Sequence, residues 1–314
     1  MIKDFEVGRA INERLVVKSS EIKFTKAPGR KKYLDLVLMD GQDSVNAKRW
    51  DYTRDDAIPI NTLVDVQATV GEYMGKKQLT IIGLNLSKDQ DLSAFAPQGP
   101  FDIDAYMQAF ENMIDDIEPY DLHAIVKNVF EDYKEKWLTI PAANGIHHAY
   151  IGGTLKHCVD VAIKAKALAQ LTPGANVGLA IAGGLLHDFG KLWCYELDGV
   201  VIKYSNVGQL LDHTVLGILK LEQYRTAENC EKVVLLQHII ASHHGLLEYG
   251  AASTPKCIEA WIVNYSDGID AKAETYREAN EKSSGDMTAK LYSMENRAHF
   301  TTKYISDMLY GKED

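Results

Sequence analysis

The spacing of apolar residues changes once along this chain, and the change divides it into two parts that need different folds. Up to residue 86 the pattern alternates: RLVVKSSEIKF, YLDLVLMD, SVNAKRW, LVDVQATVGEY and QLTIIGLNL are five runs rich in β-branched and aromatic residues. Turn clusters such as Ala27-Pro28-Gly29 and Asp40-Gly41 separate them, so each reads as a strand. Five strands of this length suit a small closed barrel, and residues 53–57 stand where an OB-fold commonly carries a helix, which favours an OB-fold over a sandwich. The reading is therefore an all-β OB-fold barrel over 1–86. The polar, proline-punctuated SKDQDLSAFAPQGP then marks a linker over 87–100. Beyond it, DIDAYMQAFENMIDDI, DLHAIVKNVFEDYKEKW, GTLKHCVDVAIKAKALAQL and GQLLDHTVLGILKLEQY repeat apolar residues at three and four positions, predicting an all-α domain over 101–314.

Composition narrows the function classes. With 46% hydrophobic and 25% charged residues the 314-residue chain is globular rather than disordered. No apolar run reaches the roughly 18 residues of a membrane span, and MIKDFEVGRA lacks the apolar core of a signal peptide, so a cytoplasmic protein with no membrane partner is expected. Cys158, Cys194, Cys230 and Cys257 form no C-x-x-C pair and read as reduced thiols. The net charge of -10 is uneven: residues 1–90 carry 15 Lys plus Arg against 13 Asp plus Glu (+2), and the remainder 19 against 31 (-12). The acidic part is the one expected to hold carboxylates that meet cations.

Histidine points to the same part. Eight of ten histidines fall between 147 and 244, whereas the barrel region has none, so the helical domain is where imidazole chemistry resides. The candidate ligands are His157, the adjacent His187-Asp188 in LLHDFGK, His213, His243-His244 and Asp267 in NYSDGID. Neutral imidazoles with carboxylates and no thiolate suit manganese, magnesium, iron, nickel or cobalt with open positions better than structural zinc. His187-Asp188 and His243-His244 each end a helical pattern just before a glycine, Gly190 and Gly245, which is placed to stop the helix and let ligands converge. His238, five residues before His243, points roughly 140° away on a continuing helix and does not share its shell. His123 and His299 read as structural. His147 and His148, beside Gly152-Gly153, balance evenly between a structural role and a contact to phosphate, and His148 is kept as a substrate-binding candidate.

LLHDFGK, GQLLDH, ASHHG and YSDGIDAK together resemble the HD-domain superfamily of metal-dependent phosphohydrolases. From about residue 10 to the C-terminal region, with GIHHAYIGGTLKH, VLLQHIIASHHG and MENRAHF, the chain resembles the YhaM family of 3′→5′ exoribonucleases, an OB-fold followed by an HD domain. The resemblance implies a first divalent ion on His157, His187, Asp188 and Asp267. A second, bridged by Asp188, would lie on His213 and His243, with His244 a further candidate. Two ions are thus expected, manganese foremost, with Asp188 central to catalysis. Lys191, three residues after Asp188, is placed to hold a non-bridging phosphate oxygen as a point charge; a surface lysine at a helix end is the competing reading.

In the barrel, Lys23, Lys26, Arg30, Lys31 and Lys32 cluster at the first hairpin, Lys48 and Arg49 precede Trp50, and Lys76-Lys77 occupy another hairpin. Basic groups that track phosphates beside Phe24, Tyr33, Trp50 or Tyr73 as stacking platforms predict single-stranded RNA or DNA as partner, with Lys31, Lys32, Trp50, Lys76 and Lys77 as substrate-binding candidates. Barrel aromatics are core as often as platform, and scattered lysines often serve solubility. The resulting function is a metal-dependent 3′→5′ exonuclease on single-stranded RNA or short oligonucleotides, with DNA a further substrate; polarity comes from the resemblance alone. Alternatives are a phosphohydrolase of nucleotides or cyclic dinucleotides and a non-catalytic nucleic-acid adaptor. Self-association into a homo-oligomer is compatible with the acidic helical surface.

Overall fold

The computed structural model describes residues 1–26, 30–143 and 150–311. His147, His148 and Ala27-Pro28-Gly29 lie outside the described residues. Two compact units are present, residues 1–98 with 197–203, and residues 99–196 with 204–314.

The first unit is built on β1 (Ala10–Phe24), β2 (Lys32–Met39), β3 (Ser44–Arg49), β4 (Leu63–Tyr73) and β5 (Lys76–Leu86). They close in the order β1-β2-β3-β5-β4, with β4 pairing back onto β1 and β3 running parallel to β5, the OB-fold barrel. β1 is long enough to serve two neighbours: Ala10 to Val16 pair with β4, and from Val16 onward it pairs with β2, the change falling beside a bulge between Val17 and Ser19. Alternation sends Leu15, Val17, Leu34, Leu36, Leu38, Val64, Val66, Ala68 and Leu79 into the interior. Residues 53–57 form no helix. This departs from the expectation, and the residues explain it: the stretch is short, contains Asp55 and Asp56 and is followed by Pro59, so it is poorly suited to nucleate a helix, and the Tyr52 hydroxyl donates to the Asp56 carbonyl instead. The hairpin residues Val200 and Val201 join Val16, Met39 and Leu63 in a second small cluster of this unit.

The second unit is helical: α1 (Ile103–Asp115), α2 (Tyr120–Asp132), α3 (Lys134–Thr139), α4 (Gly153–Leu171), α5 (Val177–Leu186), α6 (Lys191–Cys194), α7 (Asn206–Leu221), α8 (Cys230–Ser242), α9 (Ile258–Glu281) and α10 (Thr302–Tyr310); between α6 and α7 runs the hairpin of β6 (Tyr195–Asp198) and β7 (Val201–Tyr204), whose residues 197–203 belong to the first unit. α5 is apolar on every side, so it is buried along nearly its whole length. Its Gly183 and Gly184 let it press close: a Cβ on Gly184 would lie 2.6 Å from Ala162 Cα in α4, and one on Gly183 2.8 Å from Ile239 in α8. Asn176 caps α5 by accepting from Leu179 N, and Asp102 and Ser205 cap α1 and α7 in the same way. The continuous pattern over 121–137 is broken at Tyr133 into α2 and α3. No helix among the described residues is long and apolar enough to cross a membrane.

Candidate metal centre

α4, α5, α7, α8 and α9 each bring one or two of the predicted ligands to one place. His157 is buried in the second turn of α4; His187 caps the C-terminus of α5 with Asp188 next to it; His243 caps the end of α8. Two groups result. His157, His187 and Asp188 form one and His213, His243 and His244 the other, the ligand atoms of each lying within 4.8 Å of one another.

Asp188 faces both. Its Oδ2 lies 3.2 Å from His157 Nε2 and 3.4 Å from His187 Nε2, while its Oδ1 lies 3.5 Å from His213 Nε2 and 3.7 Å from His243 Nε2. Asp267 Oδ1, from α9, is 3.2 Å from His157 Nε2 and 3.9 Å from His187 Nε2. Lys191 Nζ reaches Asp188 Oδ2 at 2.6 Å, so its ammonium is turned inward rather than placed as an ordinary surface lysine.

The other ring nitrogen of each buried imidazole is already committed. His187 Nδ1 donates to Gly184 O at 2.8 Å and His243 Nδ1 to Ile240 O at 2.7 Å. His157 Nδ1 meets Asp270 Oδ2 at 2.7 Å, and His213 Nδ1 meets Asp212 Oδ1 at 2.6 Å. Carbonyls and carboxylates accept and cannot donate, so the proton resides on Nδ1 and the Nε2 lone pairs are directed inward. Acceptors thus converge on acceptors, and Asp188 Oδ1 is buried with no hydrogen-bond partner. Such an arrangement is unfavourable unless a cation shares it. This orphaned oxygen, with the all-nitrogen-and-oxygen donor set, fits divalent metal at both groups.

Charge states agree. Burial is the largest influence on Asp188 and opposes its charge, but the Lys191 ammonium, with the His187 and His157 rings beside it, holds its pKa well below the carboxylate range. Asp267 is depressed in the same sense: burial opposes, and His157 and the neighbouring imidazoles prevail. Burial, then neighbouring imidazoles, push His243 well below the usual histidine value; burial and His213 lower that of His244. Both therefore stay in the neutral, ligating form. For His157 burial again opposes protonation, yet the carboxylates of Asp188, Asp267 and Asp270 around its ring raise its pKa, so the pocket attracts positive charge to that spot.

A cavity of about 200 Å³ opens over the centre, lined by Ala142, His157, Asp188, Lys191, His244, Asp267 and Ala271. Outside it, His238 Nε2 accepts from the Lys256 backbone amide at 2.9 Å and holds the chain entering α9. Glu196 is exposed on β6. Two residues that sequence reasoning did not single out are Asp270, which also binds Lys164 Nζ at 2.7 Å, and Asp212. Both had a signal: Asp270 follows Asp267 by one helical turn, and Asp212 immediately precedes His213.

Gly190 does something other than stop a helix. Its φ of -63° is ordinary right-handed backbone, whereas Gly245, with φ +79°, takes the left-handed conformation that ends α8. At Gly190 a Cβ would collide with the main chain of His213 and Gly217, so this glycine is what lets α7 approach the His187-Asp188 turn.

On the barrel, Tyr33 and Trp50 lie side by side with ring centroids 4.9 Å apart, and Lys48 Nζ stands 5.1 Å and 5.7 Å from the two rings. Trp50 is 43% exposed, so this is surface and not core. Lys31 and Lys32 are nearby in the chain at the start of β2, paired with Asp51 and Asp55 at 3.4 Å and 2.8 Å. Lys76 and Lys77 sit at the separate β4–β5 turn, where Lys77 Nζ donates to Lys3 O.

Residues 154–272 match the HD domain family. Across almost its whole length the chain is similar to the 3′-5′ exoribonuclease YhaM of Geobacillus sp. (strain WCH70), 33% identical over 98% of this chain and 97% of that one. It is 32% identical to the 3′-5′ exoribonuclease YhaM of Bacillus subtilis (strain 168), over 94% of this chain and 96% of that one. With both units spanned by such relatives and the predicted ligands converging on one acceptor-lined pocket, the chain belongs to the YhaM family and is a hydrolytic enzyme of the HD superfamily.

Proposed function

We propose that the protein is a metal-dependent 3′→5′ exoribonuclease that removes residues from single-stranded RNA or short oligonucleotides, and that single-stranded DNA is also accepted. The observation that carries the reading is Asp188, whose two oxygens face two separate imidazole groups. His157, His187, Asp188 and Asp267 would hold one divalent ion, and Asp188, His213, His243 and His244 a second. When bound, the ions supply Lewis acidity at phosphorus and a water acidic enough to attack it near neutral pH. Manganese is the first choice, with magnesium, iron, nickel and cobalt compatible with the same donors.

The chain's own residues do the rest. Asp188 and Asp267 keep their charge because cationic and hydrogen-bonding neighbours overcome burial, so no proton blocks the donor oxygens. Nδ1 contacts to Gly184, Ile240, Asp212 and Asp270 fix the four rings, so Nε2 needs no reorientation when the substrate arrives. Lys191 stays protonated, because the Asp188 carboxylate outweighs burial, and it reaches into the cavity as a point charge for a non-bridging phosphate oxygen. The described lining of that cavity includes no Phe, Tyr or Trp ring, only Ala142 and Ala271 beside the imidazoles, carboxylates and Lys191, so it favours phosphate over a particular base. Tyr33, Lys48 and Trp50 supply a base-stacking and phosphate-binding surface on the barrel, with Lys31, Lys32, Lys76 and Lys77 as further phosphate contacts. A soluble cytoplasmic setting and self-association are consistent with this role.

The test is a time course on 5′-labelled RNA and DNA with Mn²⁺ or Mg²⁺, resolved by length. A ladder descending from the 3′ end is expected. Internal cuts, or hydrolysis confined to mononucleotides and cyclic dinucleotides, would replace this reading with a different HD activity.

A further inference from the structure

Two histidines of the centre, His187 and His243, follow a helix and are held in one way. His187 and His243 each donate Nδ1 to the carbonyl three residues earlier, Gly184 and Ile240. His213 is not held so. α7 is kinked at Asp212, between Leu210 and His213, and Nδ1 of His213 meets the Asp212 carboxylate at 2.6 Å instead. The same oxygen accepts the His213 backbone amide at 2.6 Å and the Tyr204 hydroxyl at 3.3 Å.

The backbone at Asp212 is unusual. Its φ of 59° and ψ of 163° fall in a region used almost only by glycine, yet the residue is aspartate. Backbone economy alone would select glycine here, and the carboxylate is what glycine lacks. A residue kept in such a conformation calls for a role that its side chain fulfils.

We propose that Asp212 is a positioning residue for the second group of ligands, its carboxylate replacing the helical carbonyl that the kink removes and holding His213 Nε2 towards His243 and Asp188. Its substitution therefore acts on the affinity of the His213–His243–His244 group for a divalent ion. His213 Nε2 lies 3.3 Å from His243 Nε2 and 3.5 Å from Asp188 Oδ1, so rotation of this one ring would open the group. The inference rests on reading His213 as a metal ligand.

The experiment compares Asp212→Gly, Asp212→Asn and His213→Ala in the full-length protein. Mn²⁺ binding is read from the signal of the free ion, and the melting temperature is measured in excess chelator. Glycine relieves the backbone and removes the carboxylate, so Asp212→Gly is expected to melt at the same or a higher temperature while one class of Mn²⁺ sites weakens about 10–100-fold. Asparagine keeps an accepting oxygen and is expected to bind Mn²⁺ within a few-fold of the parent. If Asp212→Gly binds Mn²⁺ like the parent while His213→Ala loses a class of sites, the positioning role is overturned and the ligand reading stands. If His213→Ala itself leaves the isotherm unchanged, both fall. If Asp212→Gly lowers the chelated melting temperature and asparagine does not restore Mn²⁺ binding, Asp212 is a helix cap only.

Discussion

Replacing Gly190 with alanine tests the centre at a residue that bears no functional group. The added Cβ would stand 2.6 Å from Gly217 N and 2.7 Å from His213 C, and would overlap the His213 carbonyl oxygen. Carbon needs about 3.5 Å from such atoms, so the α7 backbone must withdraw by at least about 1 Å. All the obstructing atoms are main chain, so no rotamer change relieves the clash. A displacement of about 1 Å in a catalytic constellation costs on the order of 100-fold, so kcat/KM on a 5′-labelled oligonucleotide with saturating Mn²⁺ is expected to fall by about that factor. Overpacking adds about 1–3 kcal/mol of destabilisation, readable as a lower urea midpoint. The sign is decisive: at φ -63° alanine strains nothing locally, and with free space it would stabilise by about 0.4–1 kcal/mol. A Gly190→Ala protein that is more stable and fully active would refute the claim that close packing of α7 sets His213.

Asp188→Ala is expected to abolish turnover of every oligonucleotide while the circular dichroism spectrum keeps its helical signal; retained metal-dependent activity would remove Asp188 from the centre. Trp50→Ala is expected to weaken oligonucleotide binding by about 1–3 kcal/mol, and Lys48→Ala to reduce the slope of log K against log salt by about one, both by fluorescence anisotropy; unchanged affinity in both would move the binding surface elsewhere. Burial pushes the Cys194 thiol up to about 12, so the folded state keeps a proton that the unfolded thiol releases near pH 8.5. A folded pKa raised in this way gives stability that is whole below about pH 8.5 and is lost as pH rises towards 12, at up to about 1.4 kcal/mol per unit. The parent is therefore expected to lose more urea resistance between pH 8 and pH 10 than Cys194→Ala, and equal slopes would count against the burial argument.

Much of the fold was legible because it is local. β-branched alternation up to residue 86 and apolar repeats of three and four beyond residue 100 each follow from the geometry of one element, and β2 to β5 and α4 fall within a residue or two of the runs that announce them. The interruptions were not legible. Tyr133 splits one apolar pattern into two helices, residues 53–57 stay irregular, and Asp212 bends α7 at a non-glycine residue. Apolar spacing runs unbroken through Tyr133 and Asp212, so it carries no mark of either break, and the local residues that keep 53–57 irregular weigh less in the pattern than the place of that stretch between two strands.

The candidate centre divides along the same line. Ligand type is chemistry carried by the residue itself, so imidazoles and carboxylates gathered in one part of the chain announce a cation site before any fold is known. Distance is not carried that way. His157 and Asp270 are 113 residues apart in the chain and 2.7 Å apart in space because α4 and α9 pack together. Gly184 against Ala162 and Gly190 against His213 remove the last side-chain bulk between the elements that bear the ligands. The sequence by itself determined which atoms are able to bind a cation and the two kinds of element that carry them. Only tertiary packing decided that Asp188 turns one oxygen to each imidazole group, since that orientation depends on helices meeting at less than a side chain's width.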